Sequence, residues 1–196
     1  MNGKDILLLL SISICNEIFC QSIPRKLPAL KITASIKIDG SLHEPVWKLA
    51  SPATDFIEYI PTPGARELYT NRTEVYILYD NTSVYIGGYC HEKSVDSVSK
   101  ELVGRDQLGN NDFVGVIFDT YYDKINASGF YVTPYGEQYD AKYSTSGSKD
   151  ATWNAVWDSE SKMQPDGWTF EMRIPYSALR FNSKDNQVWG VHDGYP

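Results

Sequence analysis

Apolar residues in this chain recur with period two. Trp168, Phe170, Met172 and Ile174 alternate with Thr169, Glu171 and Arg173. Val75, Ile77 and Tyr79 alternate with Glu74, Tyr76 and Leu78, and Val84, Ile86 and Gly88 with Tyr85, Gly87 and Tyr89. Side chains on a strand point to its two faces in turn, so this period marks strands with one face in a core. Residues 113–118 are apolar at both parities, as in a strand covered on both faces. Turn formers separate the runs: Asp80-Asn81-Thr82, Asp119-Thr120-Tyr121-Tyr122-Asp123, Tyr135-Gly136-Glu137 and Pro165-Asp166-Gly167. Further strands are expected at 31–38, 53–60, 130–134, 141–144, 159–163 and 188–191, and residues 73–79 and 83–91 form a hairpin. One short helix follows the first strand. Ser41 is its N-cap, Glu44 completes a capping box, and Leu42, Val46, Trp47 and Ala50 lie along it. No period of 20 to 50 residues is present, which excludes a solenoid or propeller. The expected fold is all-β: an antiparallel β-sandwich, jelly-roll or immunoglobulin-like, with a short helix after the first strand.

A chain of 196 residues is long enough for one domain with a sizeable core. Its formal net charge of −7 argues against a nucleic-acid partner, which needs a basic footprint. Residues 1–20 read as a signal peptide: Lys4 begins it, residues 6–14 are an apolar run too short to span a membrane, and Cys20-Gln21 is the cleavage point. Acylation of Cys20 is the rival reading, but Phe19 is bulky for that signal. Residues 21–30 are a linker and 31–196 the domain. The mature chain is therefore expected outside the cytoplasm. Cys90 is then its one cysteine, expected as a small buried thiol. Three Asn-x-Ser/Thr sequons begin at Asn71, Asn81 and Asn126 and are given no functional weight. With three histidines and no cysteine cluster, a zinc site has no support.

Four motifs then occur in order: residues 38–47 (IDGSLHEPVW), Asn111-Asp112 opening a strand that ends Phe118-Asp119, residues 130–137 (FYVTPYGE), and residues 168–175 (WTFEMRIP) with Leu179 after them. Together they resemble the family 9 carbohydrate-binding module, across roughly 32–190. The likeness is greater to the version at the N-terminus of large surface or outer-membrane proteins of Bacteroidetes-type bacteria. The resemblance implies a sandwich related to DOMON-type domains. It implies a sugar clamped between two tryptophans, calcium held away from the sugar, and a C-terminal membrane barrel in longer relatives, and so a place in the periplasm, on the outer membrane or at the surface of a Gram-negative bacterium. Residues 189–196 depart from the family, in which the last strand continues, so a truncated chain is expected. His43 stands where relatives carry Asp.

Sugar recognition needs flat aromatic faces against a pyranose and polar groups for its hydroxyls. Trp153 and Trp157 lie in a polar segment and are the candidate clamp; core packing is the alternative for both. Trp47, Trp168 and Trp189 sit in apolar periodic runs and are expected in the core. Arg105, Asp106, Asn111 and Glu171 are candidate polar contacts, and Tyr121 and Tyr122 border the site. The candidate calcium ligands are Asp119, Asp123 and Asp140, with Asp112 and Asn126 able to approach; a solvated acidic turn is the alternative. No Ser/His/Asp pattern, phosphate loop or metal-binding histidine cluster supports catalysis. The expected function is non-catalytic binding of a polysaccharide or oligosaccharide by an exported module of a protein acting in glycoside hydrolysis. Two alternatives remain. One is a structural domain packed on an outer-membrane barrel, with Trp153 and Trp157 buried. The other is a haem-binding DOMON-like domain using Met163 or Met172.

Overall fold

In a computed structural model, residues 25–57, 62–144 and 148–192 are described, without the side chain of His192. The expected leader therefore lies outside the described residues, as do 58–60 of one expected strand and 193–196.

Among the described residues, two five-stranded sheets face each other. The first holds β1 (Leu30–Lys31), β2 (Thr73–Tyr79), β3 (Ser83–His91), β9 (Gly167–Pro175) and β8 (Asp158–Gln164), side by side in that order. The second holds β10 (Gly190–His192), β4 (Val114–Asp119), β5 (Asn126–Val132), β6 (Gln138–Ser144) and β7 (Lys149–Asp150). All pairs are antiparallel except β1 with β2. The core lies between the sheets. Val84, Ile86, Phe170, Met172 and Ile174 come from one side and Val116, Phe118, Phe130 and Val132 from the other. Each such side chain stabilises the fold by roughly 1.5–3 kcal/mol on burial. Cys90 is buried among them as a free thiol, and burial pushes its pKa up. Met172 is fully buried and Met163 partly buried in this same core.

The β2–β3 turn is built by Asp80. Its Oδ1 accepts from the Thr82 and Ser83 amides at 2.6 and 2.8 Å, and its Oδ2 from the Tyr85 hydroxyl at 2.9 Å. A short acidic side chain can close its own turn in this way.

The N-terminal segment corrects the strand expected at 31–38. Only Leu30 and Lys31 pair, with Leu78 and Tyr79. Ile32 and Ile36 are buried while Ala34 between them is exposed. Residues 32–50 thus form a strap across the outer face of the first sheet. Ile32, Ile36, Trp47 and Ala50 pack there on Leu78 and Tyr85. The expected helix is a single 3-10 turn at Trp47–Leu49, and its capping box does not form. Instead the Ser41 hydroxyl accepts from Lys162 Nζ at 3.2 Å, and Glu44 Oε1 from the Lys37 amide at 3.2 Å. Gly87 makes room for the strap: a Cβ there would lie 2.7 Å from Leu42 Cδ2 and 2.8 Å from Trp47 Cη2. The strand expected at 53–60 is reduced, in its described part, to bridges from Ala53 to Val75 and from Ile57 to Arg66.

Candidate functional site

Polar chemistry concentrates where the start of β6 meets the start of β8. Asp140, on β6, points between the sheets and is fully buried. Its Oδ1 accepts from the Ala155 amide at 2.8 Å and its Oδ2 from the Trp157 indole at 3.1 Å. Arg105 Nη2 donates to the same Oδ2 at 2.8 Å. A buried carboxylate needs such partners to offset its lost hydration. The Arg105 side chain is 38 % exposed and stands at the rim. There it also donates to Asn154 Oδ1 at 3.1 Å, to the Ala155 carbonyl at 2.9 Å and to Gln138 Oε1. Gln138 completes the bridge, donating to the Trp157 carbonyl at 3.1 Å and to Ser159 Oγ at 3.0 Å.

Gln138 also lines an open groove of about 450 Å³. Ile36, Lys37 and Ile38 of the strap form one wall; Asp158, Ser159 and Glu160 of β8 and Arg173 of β9 form the other. Register places Asp158 across from Arg173, which holds its Oδ2 at 2.5 Å and 2.8 Å through Nη2 and Nε. Lys37 pairs with Asp39 at 3.2 Å. The groove is thus a row of guanidinium, ammonium, amide, hydroxyl and carboxylate groups beside two isoleucines. Such a surface can donate to and accept from a neutral polyhydroxy ligand at many points.

The whole sandwich is similar to solved structures of a family 9 carbohydrate-binding module from Caldicellulosiruptor kristjanssonii. One, in complex with glucose, has a TM-score of 0.56 and 16% identity over 84% of this chain and 75% of that chain. Another, in complex with cellotriose, has a TM-score of 0.55 and 15% identity over 85% of this chain and 83% of that chain. This chain has the family 9 module fold. No family model matches the sequence, and no curated protein matches it significantly.

Within the family 9 fold, the sequence-derived site residues are dispersed. The structure brings Arg105, Trp157 and Asp140 together in one network that runs from the buried carboxylate to Arg105 at the rim, and Trp157 also lines the groove. The expected exposure of Trp157 is corrected: the ring is buried, packs edge-on to Phe130 at 5.4 Å, and spends its N–H on Asp140. Trp153 is half-buried, edge-on to Phe130 at 5.8 Å, with Lys142 Nζ 4.2 Å from its ring centroid. One face of Trp153 is therefore covered by a cation, and the two rings make no clamp. Glu171 is fully buried beneath the strap and cannot touch a ligand directly. Tyr121 is exposed, in the β4–β5 turn. Of the other polar candidates, Asn111 is buried and bonded to the Glu101 main chain, and Asp106 lies beside Arg105 at 3.8 Å.

The expected calcium ligands do not fit a cation site. Asp119 is buried and accepts from the Asp123 and Lys124 amides at 3.2 and 2.8 Å, closing its own turn. Asp123 Oδ1 accepts from the Ile125 amide at 2.8 Å, and Asp140 is neutralised by Arg105. Among the described residues, no three His, Cys, Asp or Glu side chains gather into a set that could hold a metal ion.

Lys37, Gln138, Asp158, Glu160 and Arg173 were not singled out by sequence. The available signal was the outer parity of Arg173 on a clear strand that follows a segment carrying Asp158 and Glu160 at alternate positions.

Proposed function

We propose that the chain is a non-catalytic carbohydrate-binding module that takes an oligosaccharide along the groove between the strap and β8. Likeness of the whole sandwich to two solved family 9 module structures, in complex with glucose and with cellotriose, carries this reading. The groove's chemistry supports it, since Arg173, Gln138, Glu160 and Lys37 offer both donors and acceptors for hydroxyls. Binding without catalysis is favoured because a glycosidase needs two carboxyl groups flanking the scissile bond. Here Asp158, one of the groove's two carboxylates, is tied to Arg173. The module serves outside the cytoplasm of a Gram-negative bacterium, ahead of an outer-membrane barrel in a glycan-degrading protein. The apolar run at 6–14 supports export.

Isothermal titration calorimetry with cellotriose, xylotriose and glucose tests the proposal. Saturable heat with at least one sugar is expected. Arg173→Ala should weaken that binding about tenfold, roughly the 1.4 kcal/mol of one charge-assisted hydrogen bond. Absence of heat with every sugar would overturn it. That result would favour a second reading, an interaction domain without sugar binding. The observation on its side is that Trp157 is buried and Trp153 is covered by Lys142.

A further inference from the structure

Glu171 sits mid-strand on β9, with no exposed surface. Its Oε2 accepts from the Asp39 and Gly40 amides at 2.8 and 3.0 Å, and its Oε1 from the Trp47 indole at 3.1 Å. All three donors belong to the strap. The same turn is held twice more. The Thr169 hydroxyl donates to the Gly40 carbonyl at 2.6 Å, and Lys162 Nζ to the Ser41 hydroxyl at 3.2 Å. Gly40 has a φ of 75°, and a Cβ there would lie 2.7 Å from the Ser161 carbonyl carbon. The turn therefore rests directly on β8. The three residues that precede Asp39 are the groove wall formed by the strap.

We propose that Glu171 is a positioning residue for the ligand groove: it fixes the Asp39–Gly40 turn and thereby sets residues 36–38 against β8. This rests on reading the groove as a carbohydrate site. A carboxylate suits the task because one oxygen can accept both successive amides of the turn while the other holds the indole. Burial pushes the Glu171 pKa up to about 7, Glu44 pushes the same way, and the Asp39, Gly40 and Trp47 donors pull it down. Every element packed around it carries ionisable groups. The strap brings Lys37, Asp39 and Glu44, whose Oε2 is buried and has no donor among the described residues. On β3, Tyr85 and Tyr89 flank Gly87, the residue across from Glu171. On β8, Glu160 is paired with it in register, next to Lys162; on its own strand stands Arg173. Burial outweighs the donors, so the docked strap favours the protonated carboxyl and the wall is set most firmly below pH 7.

Glu171→Gln and Gly40→Ala test this, since neither residue lines the groove. Each variant should keep its far-UV circular dichroism and lose about tenfold in oligosaccharide affinity. Wild-type affinity should rise from pH 8 to pH 6, and that slope should vanish in Glu171→Gln. A second readout needs no sugar. In ¹⁵N-labelled protein, the Trp47 indole resonance should titrate near pH 7 in wild type and stay fixed in Glu171→Gln. The Asp39 and Gly40 amides should also exchange with solvent faster in that variant. Unchanged affinity in both variants, with the pH slope retained in Glu171→Gln, would overturn the inference. So would a Trp47 resonance and amide exchange indifferent to Glu171. If wild type binds no sugar, the sugar reading fails by itself, and the indole and exchange data still decide whether Glu171 sets the wall.

Discussion

Asp140 shows how one side chain decides what its neighbours can do. A single carboxylate accepts from Arg105, the Trp157 indole and the Ala155 amide. Its removal strands an indole N–H in the core and frees the arginine. Asp140→Ala should cost about 2–4 kcal/mol, the lower part of the range for a broken buried pair because Arg105 keeps partial contact with water. A lowered urea midpoint would measure it; a midpoint equal to wild type would show that the network contributes nothing. Glu171 gives a second prediction, in which the sign matters. Its folded pKa is raised from 4.5 to about 7. Its contribution to stability is then fully present below about pH 4.5 and lost as the pH rises towards 7. The melting temperature of wild type relative to Glu171→Gln should fall across that window and level off above it. Thermal scans of both proteins at matched pH values check this. A constant difference would mean that Glu171 does not titrate there.

At the scale of elements, the strands were legible and the strap was not. Strands β2, β3 and β9 declare themselves by alternation, because their inner faces meet a core and every second residue must be apolar. The Asp80 turn was legible for an equally local reason: the residue that closes it sits inside it. The capping box at Ser41 and Glu44 was a sound local signal that tertiary bonds overrode. Lys162 claimed the hydroxyl and the Lys37 amide the carboxylate. Trp153 and Trp157 read as exposed because their segment is polar. Their partners Phe130 and Asp140 are distant in sequence, and nothing near the tryptophans announces them. The groove was hidden for the same reason, since its walls come from four separated segments. Close contact between strap and sheet yields a further prediction. Gly87→Ala puts a methyl group into Leu42 and the Trp47 ring. Overpacking of this kind costs about 1–3 kcal/mol. Chemical denaturation should show that loss, with a changed near-ultraviolet dichroism signal as Trp47 shifts; full stability would mean the strap is loosely laid.

For the whole molecule, two five-stranded sheets around one core give an architecture that low sequence identity does not obscure. Many sequences satisfy the same alternation, so the fold does not depend on a particular sequence. Both outer faces are also partly covered. Tyr131, Tyr139 and Tyr143 pack with Leu108 on the second sheet, as the strap packs on the first. The strap has a consequence in time as well as in space. The Asp39 amide and the Glu171 carboxylate that receives it are 132 residues apart. During synthesis, residues 32–50 leave the ribosome long before the strand that anchors them exists. Strands β2 and β3 can pair as soon as both have emerged, but the strap must wait for β9. Contacts that close such long loops form late and slowly. The groove wall therefore belongs to the last part of the protein to assemble, so a nascent chain that already has its first hairpin still lacks its ligand groove.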